Sequence, residues 1–191
     1  MAKQAKTLTQ VELRRVLDYV ATRKHAARNR ALVCTSFYAG LRACEMAALL
    51  VGDVVDERNK VRSEFVLAAE QTKGSKAGTV FVSEKLRKEL QAYVDATPGR
   101  AATEKLFYTQ KQESDGFSAN TLTQFFHHLY KHVGIAGASG HSGRRTFITN
   151  GAAKGVSARV LMELARHANL ATTQRYIDVN PEMLRKAVEM I

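Results

Sequence analysis

Four short segments of the chain gather side chains that can hold an anion or move a proton. They are Gly40-Leu41-Arg42-Ala43-Cys44-Glu45, Thr72-Lys73-Gly74-Ser75-Lys76, Gly140-His141-Ser142-Gly143-Arg144-Arg145, and Arg166-His167-Ala168-Asn169 followed by Arg175-Tyr176. Guanidinium groups stay charged and meet oxyanions as a two-pronged fork. Lysine and histidine exchange protons when their surroundings shift them. A tyrosine hydroxyl is a nucleophile once activated. Taken singly, each segment also has a plainer reading. Arg42 can pair with Glu45, three residues on, along a helix surface. The lysine segment can be a solvated turn, and His141 with Arg144 another surface pair. Tyr176 can be a half-buried core tyrosine, as Tyr19, Tyr38, Tyr93, Tyr108 and Tyr130 are expected to be.

The elements around these segments read as mostly helix with one β excursion. Thr9-Gln10-Val11-Glu12 has the spacing of a capping box, and Leu13, Val16, Leu17 and Val20 follow on one helical face. A second helix runs through Leu32, Val33, Ser36 and Phe37 and stops at Gly40. A third is expected from near Arg42 through Met46, Leu49 and Leu50 to Gly52-Asp53. Phe65-Val66-Leu67-Ala68 and Thr79-Val80-Phe81-Val82 flank the lysine segment and read as a β-hairpin. Ser83, Ser118 and Ser157 are candidate N-caps. Residues 97–117 form the longest irregular stretch, taken as a loop within one domain. Residues 141–154 read as helical, and a last helix begins after Asn180-Pro181.

Composition narrows the class. The 191 residues carry 45% apolar and 25% charged side chains with only two prolines, which excludes a disordered or collagen-like chain. No apolar run approaches the roughly 20 residues that cross a bilayer as a helix. Two cysteines, Cys34 and Cys44, give no disulfide framework; both are read as buried apolar thiols in a reducing, cytoplasmic setting. Net charge is +11, with +6 in residues 1–34, zero in 35–116 and +5 in 117–191. Basic excess at both ends suggests a polyanion, most often nucleic acid. His127, His128 and His132 share one helical stretch, with the last two at a spacing known from zinc pairs, but no cysteine or acidic third ligand stands near in sequence. Helix–Gly40–helix also fits a helix-turn-helix DNA reader, which leaves the lysine segment and the residues from 141 to 176 unexplained.

In this order the four segments resemble the tyrosine recombinases, the phage integrase family. The family pattern is Gly-Leu-Arg-x-x-Glu, a lysine in a β-hairpin, a His-x-x-Arg, then a histidine and a tyrosine nine residues beyond it. The chain supplies Gly40-Leu41-Arg42 with Glu45, Lys73, His141 with Arg144, His167, and Tyr176 nine residues after it. Arg144-Arg145-Thr146-Phe147 is similar as well, and the likeness runs from about Thr7 to the C-terminus. The resemblance implies the family's catalytic-domain fold, mostly α with a small antiparallel β-sheet (α+β). It implies a site-specific recombinase or integrase that cleaves and rejoins DNA through a 3′-phosphotyrosine without metal, ATP or other cofactor, for integration, excision or inversion of a mobile element.

The resemblance also distributes roles. Tyr176 is the nucleophile. Arg42 and Arg144 stabilise the transition state, and Lys73 protonates the leaving 5′-oxygen, with Lys76 as an alternative. His141 helps move the Tyr176 proton, His167 bonds the phosphate or orients its neighbours, and Glu45 holds Arg42. Lys76, Arg145 and Arg166 are expected at the DNA backbone, Arg166 standing where the family usually has glycine. Double-stranded DNA is the expected partner, with a homotetramer assembled on it. Members usually carry a separate N-terminal core-binding domain, some with an arm-binding domain before it. The catalytic pattern here begins almost at Met1, so both are expected to be absent and residues 1–191 to form a single catalytic domain. The final segment commonly docks on a neighbouring protomer. Two other functions share these features: a non-catalytic DNA-binding relative, and a type IB topoisomerase-like relaxing enzyme.

Overall fold

The computed structural model describes residues 4–72, 76–109, 116–177 and 181–189. Helix α1 (Gln10–Ala21) starts as its sequence dictates. Thr9 Oγ1 accepts from the Glu12 amide at 3.1 Å, and the Glu12 carboxylate accepts from the Thr9 amide at 2.9 Å. Helix α2 (Ala26–Tyr38) is buried from Arg28 to Phe37 on nearly every side, so it forms the axis of the core rather than one wall of it.

The single helix expected from Arg42 to Asp53 is instead two: α3 (Ala43–Ala48) and one turn, α4 (Val51–Val54). Residues after Pro98 claim the intervening backbone. Leu106 N donates to Leu49 O at 2.8 Å, Val51 N to Glu104 O at 2.9 Å, and Gly52 N to Ala102 O at 2.9 Å. Tertiary hydrogen bonds replace helical ones there, leaving Leu49 extended at ψ 134°.

Strands β1 (Glu64–Leu67) and β2 (Gly78–Phe81) pair antiparallel with Phe65 opposite Val80. Phe65, Leu67 and Val80 point inward, while Val66 and Phe81 stay exposed. The hairpin is the one expected; Lys73 lies outside the described residues.

Ser83, Ser118 and Ser157 cap α5 (Glu84–Asp95), α6 (Ala119–His132) and α8 (Ala158–Ala165) through their side chains. Helix α7 (Ser142–Ala153) precedes α8. A short α9 (Leu170–Gln174) follows, which the sequence reading left out, and then α10 (Pro181–Val188). Leu122, Phe126, Leu129 and Tyr130 turn α6 towards the main core. A smaller cluster of Ile148, Ala152, Leu161 and Ala165 lies under α7 and α8, with Phe147, Tyr176, Ile177 and Met183 packed on it. The fold is thus mostly helical with a two-stranded antiparallel sheet. Tyr93 and Tyr130 are fully buried, not half-buried; the Tyr93 hydroxyl donates to Leu106 O at 2.7 Å. Tyr19, Tyr38 and Tyr108 are half-buried, Cys34 is buried and Cys44 is partly exposed.

Candidate active site

The turn between α2 and α3 carries Arg42. Gly40 there has φ +60°, and a Cβ on it would lie 2.7 Å from Phe147 Cδ1 on α7. Glycine therefore satisfies both the left-handed backbone and the close approach. Leu41 is fully buried and anchors the turn. Helices α2 and α7 also cross tightly, since a Cβ on Gly143 would run into Ser36 Oγ. That closeness brings Arg144, one residue on, to the turn. Its Nη1 donates to Gly40 O at 2.7 Å and its Nη2 to Ala165 O at the end of α8.

Glu45, with no exposed surface, is the hub. Oε1 accepts from Arg42 Nη1 at 2.5 Å; Oε2 accepts from the Arg42 amide at 2.8 Å and from Arg166 Nη2 at 3.1 Å. Burial works to raise its pKa, but Arg166, the Arg42 amide, Arg144 and Arg42 outweigh it and hold the carboxyl below its ordinary value. Burial, then Arg42, pulls the Arg144 pKa down. Guanidinium remains cationic in proteins. Three guanidiniums thus surround one carboxylate, and the surplus positive charge favours an incoming anion.

His167 is buried and shares a 2.8 Å hydrogen bond between Nδ1 and Thr173 Oγ1. Burial, then Arg144, Arg42 and Arg166, lowers its pKa to about 4, so the imidazole is neutral at pH 7. The Tyr176 ring stacks on it, centroids 5.5 Å apart and planes 25° apart. The Arg145 guanidinium lies 5.4 Å from the centre of the Tyr176 ring, and Thr149 Oγ1 donates to Tyr176 O at 3.0 Å.

A cleft of about 640 Å³ opens beside this group, bordered by Arg42, Lys76, Arg166 and His167 on its polar side and by Phe81 and Val160 on its apolar side. His141 is exposed at the start of α7 and borders a neighbouring cleft with Arg42 and Cys44. The structure therefore draws Arg42, Arg144, His167 and Tyr176 together around Glu45, with His141 and Lys76 at the rims. Arg145, expected against DNA, rests on the Tyr176 ring. Arg166, also expected there, is turned inward with its side chain 9% exposed. His127, His128 and His132 are exposed on α6, and among the described residues no group of three His, Cys, Asp or Glu is placed to hold a metal.

The sequence model of the phage integrase family matches residues 6–183. The chain belongs to the phage integrase family. Tyrosine recombinase XerA of Thermococcus kodakarensis is 30% identical over 185 residues, covering 96% of this chain and 62% of that protein. The chain thus spans about three-fifths of the length of that curated relative. The crystal structure of XerA recombinase superposes with a TM-score of 0.77 at 27% identity, over 97% of this chain and 64% of that one. The catalytic domain of bacteriophage HP1 integrase shares the fold, with a TM-score of 0.67 at 20% identity over 97% of this chain and 95% of that one.

As a phage integrase chain it has one site residue that sequence reasoning missed. Thr173 is fully buried and fixes the His167 ring, yet it sits in α9. The signal was present: Asn169 Oδ1 accepts from the Thr172 amide at 3.0 Å, an N-cap placed just before Leu170.

Proposed function

We propose that the chain is the catalytic domain of a site-specific DNA recombinase that breaks and rejoins duplex DNA through a 3′-phosphotyrosine. The observation that carries this reading is the convergence of Arg42, Arg144 and neutral His167 beside Tyr176, with Glu45 fixing Arg42. The scissile phosphate enters the positive surplus left by the three guanidiniums. Tyr176 Oη attacks phosphorus while the bond to the 5′-oxygen breaks. The tyrosine proton passes to His141, and a loop lysine, Lys73 or Lys76, protonates the departing 5′-oxygen. Arg42 and Arg144 hold the non-bridging oxygens as charge grows on them, and His167 bonds one of these oxygens through Nε2. Attack by a 5′-hydroxyl on the phosphotyrosine reverses the step and seals a strand, so no ATP is consumed. The cations and proton donors supply the charge stabilisation that a metal would otherwise supply.

The basic ends of the chain support duplex DNA as partner. The proposed recombination reaction brings such protomers together as a homotetramer on duplex DNA.

The test is a pool of nicked suicide duplexes tiled across the DNA flanking the gene. The chain should yield a covalent adduct on denaturing gels in the presence of EDTA, and Tyr176→Phe should lose the adduct and keep DNA binding. An adduct that persists in Tyr176→Phe, or none with the unaltered chain, overturns the reading.

A further inference from the structure

Helix α8 ends on Arg166 at φ 53° and ψ 46°, a left-handed conformation in which glycine is the usual occupant. The turn it makes is tight: the Arg166 amide donates to Glu163 O at 2.9 Å and the His167 amide to Met162 O at 3.0 Å. A long side chain at such a position would ordinarily run into solvent. This one runs inward along β2. A Cβ on Gly78 would lie 2.9 Å from Arg166 Cδ and 3.1 Å from Cγ, so the absence of a side chain at Gly78 is what makes room for the stem. The guanidinium then bridges two elements, with Nη1 donating to Leu164 O at 2.9 Å and Nη2 to Glu45 Oε2 at 3.1 Å. Its Nε is buried and has no hydrogen-bond partner among the described residues.

We infer that Arg166 is a positioning residue for strand cleavage, acting through Glu45 on Arg42 and holding β2 against the end of α8; the inference rests on the recombinase reading. Glu45 orients Arg42 with both oxygens, and Oε2 is shared between the Arg42 amide and Arg166. Arg166 reaches that oxygen from 121 residues away in sequence. Without it, among the described residues, only Arg42 hydrogen-bonds the carboxylate, and it is the residue the carboxylate must orient, so the Arg42 fork loses its fixed reference. In this arrangement the Arg166 guanidinium is bound to the carboxylate that orients Arg42, with its side chain 9% exposed, and the split between rate and affinity distinguishes that role from a DNA contact.

The decisive variant is Arg166→Gly. It removes the side chain and gives the left-handed turn the residue best suited to it, so the fold is kept. At saturating protein, single-turnover cleavage of the suicide duplex should fall by about 10- to 100-fold, the scale of a small misplacement of a positioned group. Affinity for the same duplex should change by less than about threefold, since the remaining phosphate contacts dominate binding. Arg166→Lys should recover part of the rate, as one ammonium can still reach Glu45. Gly78→Ala alone should slow cleavage by displacing the stem, and in the Arg166→Gly background it should cost nothing further. A residue that merely stiffened the fold would lower the melting temperature without this split between rate and affinity. Wild-type cleavage by Arg166→Gly, or additive losses from Gly78→Ala and Arg166→Gly, overturns the positioning role alone. Absence of any adduct from the unaltered chain overturns the recombinase reading and this inference with it.

Discussion

Glu45→Gln should be the most costly conservative change in the site. The side chain keeps its shape but loses its charge and one of its two acceptors. Glu45 receives three donors: Arg42 Nη1 at 2.5 Å, the Arg42 amide at 2.8 Å and Arg166 Nη2 at 3.1 Å. A glutamine can present one oxygen, and its NH2 must then face a guanidinium. Removing one partner of a buried ion pair costs about 3–5 kcal/mol, because the other charge stays buried and unpaired. Arg42 is 22% exposed and can turn partly to water, which places the loss near the lower end, about 3 kcal/mol. With a urea slope of roughly 2 kcal/mol per molar, the unfolding midpoint should move down by about 1.5 M. Sulfate should restore more stability to the variant than to the unaltered chain, since Arg42 and Arg166 then lose the carboxylate that pairs with both of them. Urea titrations followed by circular dichroism, with and without sulfate, measure both effects. A midpoint within about 0.3 M of the original in sulfate-free buffer would refute the claim that this carboxylate neutralises buried cations.

Arg144→Ala should slow suicide-substrate cleavage by about two to three orders of magnitude, the worth of one transition-state donor at roughly 3–4 kcal/mol, with a much smaller fall in DNA affinity; equal losses in rate and affinity would make it a binding residue. Because the folded His167 pKa of about 4 lies below the ordinary 6.5, the unfolded chain takes up the proton first as pH falls. Stability from this group is therefore whole above pH 6.5 and is lost towards pH 4, by about 3 kcal/mol in total, and His167→Gln should flatten that limb in urea midpoints measured from pH 7 to 4. In α10, Met183 packs on the cluster beneath Tyr176, whereas Leu184 and Val188 are 57% and 70% exposed. Removing residues 184–191 should leave a folded chain that still forms the Tyr176 adduct on one site but no longer recombines two; a trimmed protein that recombines would show that the exposed face of α10 does not link protomers.

Much of this protein is written in short-range sequence. Thr9, Ser83, Ser118 and Ser157 cap helices because a side-chain oxygen three residues before an amide is a local arrangement, complete without the rest of the chain. The turn at Gly40 and the pairing of Arg42 with Glu45 follow from similarly local rules. The order of arginine, lysine, histidine and tyrosine named the family. Where one element competes with a distant one, the sequence is silent. Helicity from Arg42 to Asp53 is locally favourable, yet residues 102–106 take its backbone hydrogen bonds and split it into two. Arg144 is an arginine on a polar helix until the crossing of Gly143 on Ser36 buries it against Gly40 O. The resemblance expects Arg145 and Arg166 at the DNA backbone; what packing adds is that Arg145 lies over the Tyr176 ring and Arg166 on Glu45. Charge and spacing say which groups exist, but which cation meets a buried carboxylate depends on how close two backbones can approach. That distance is set here by glycines at 40, 78 and 143 and by side chains far from them in sequence.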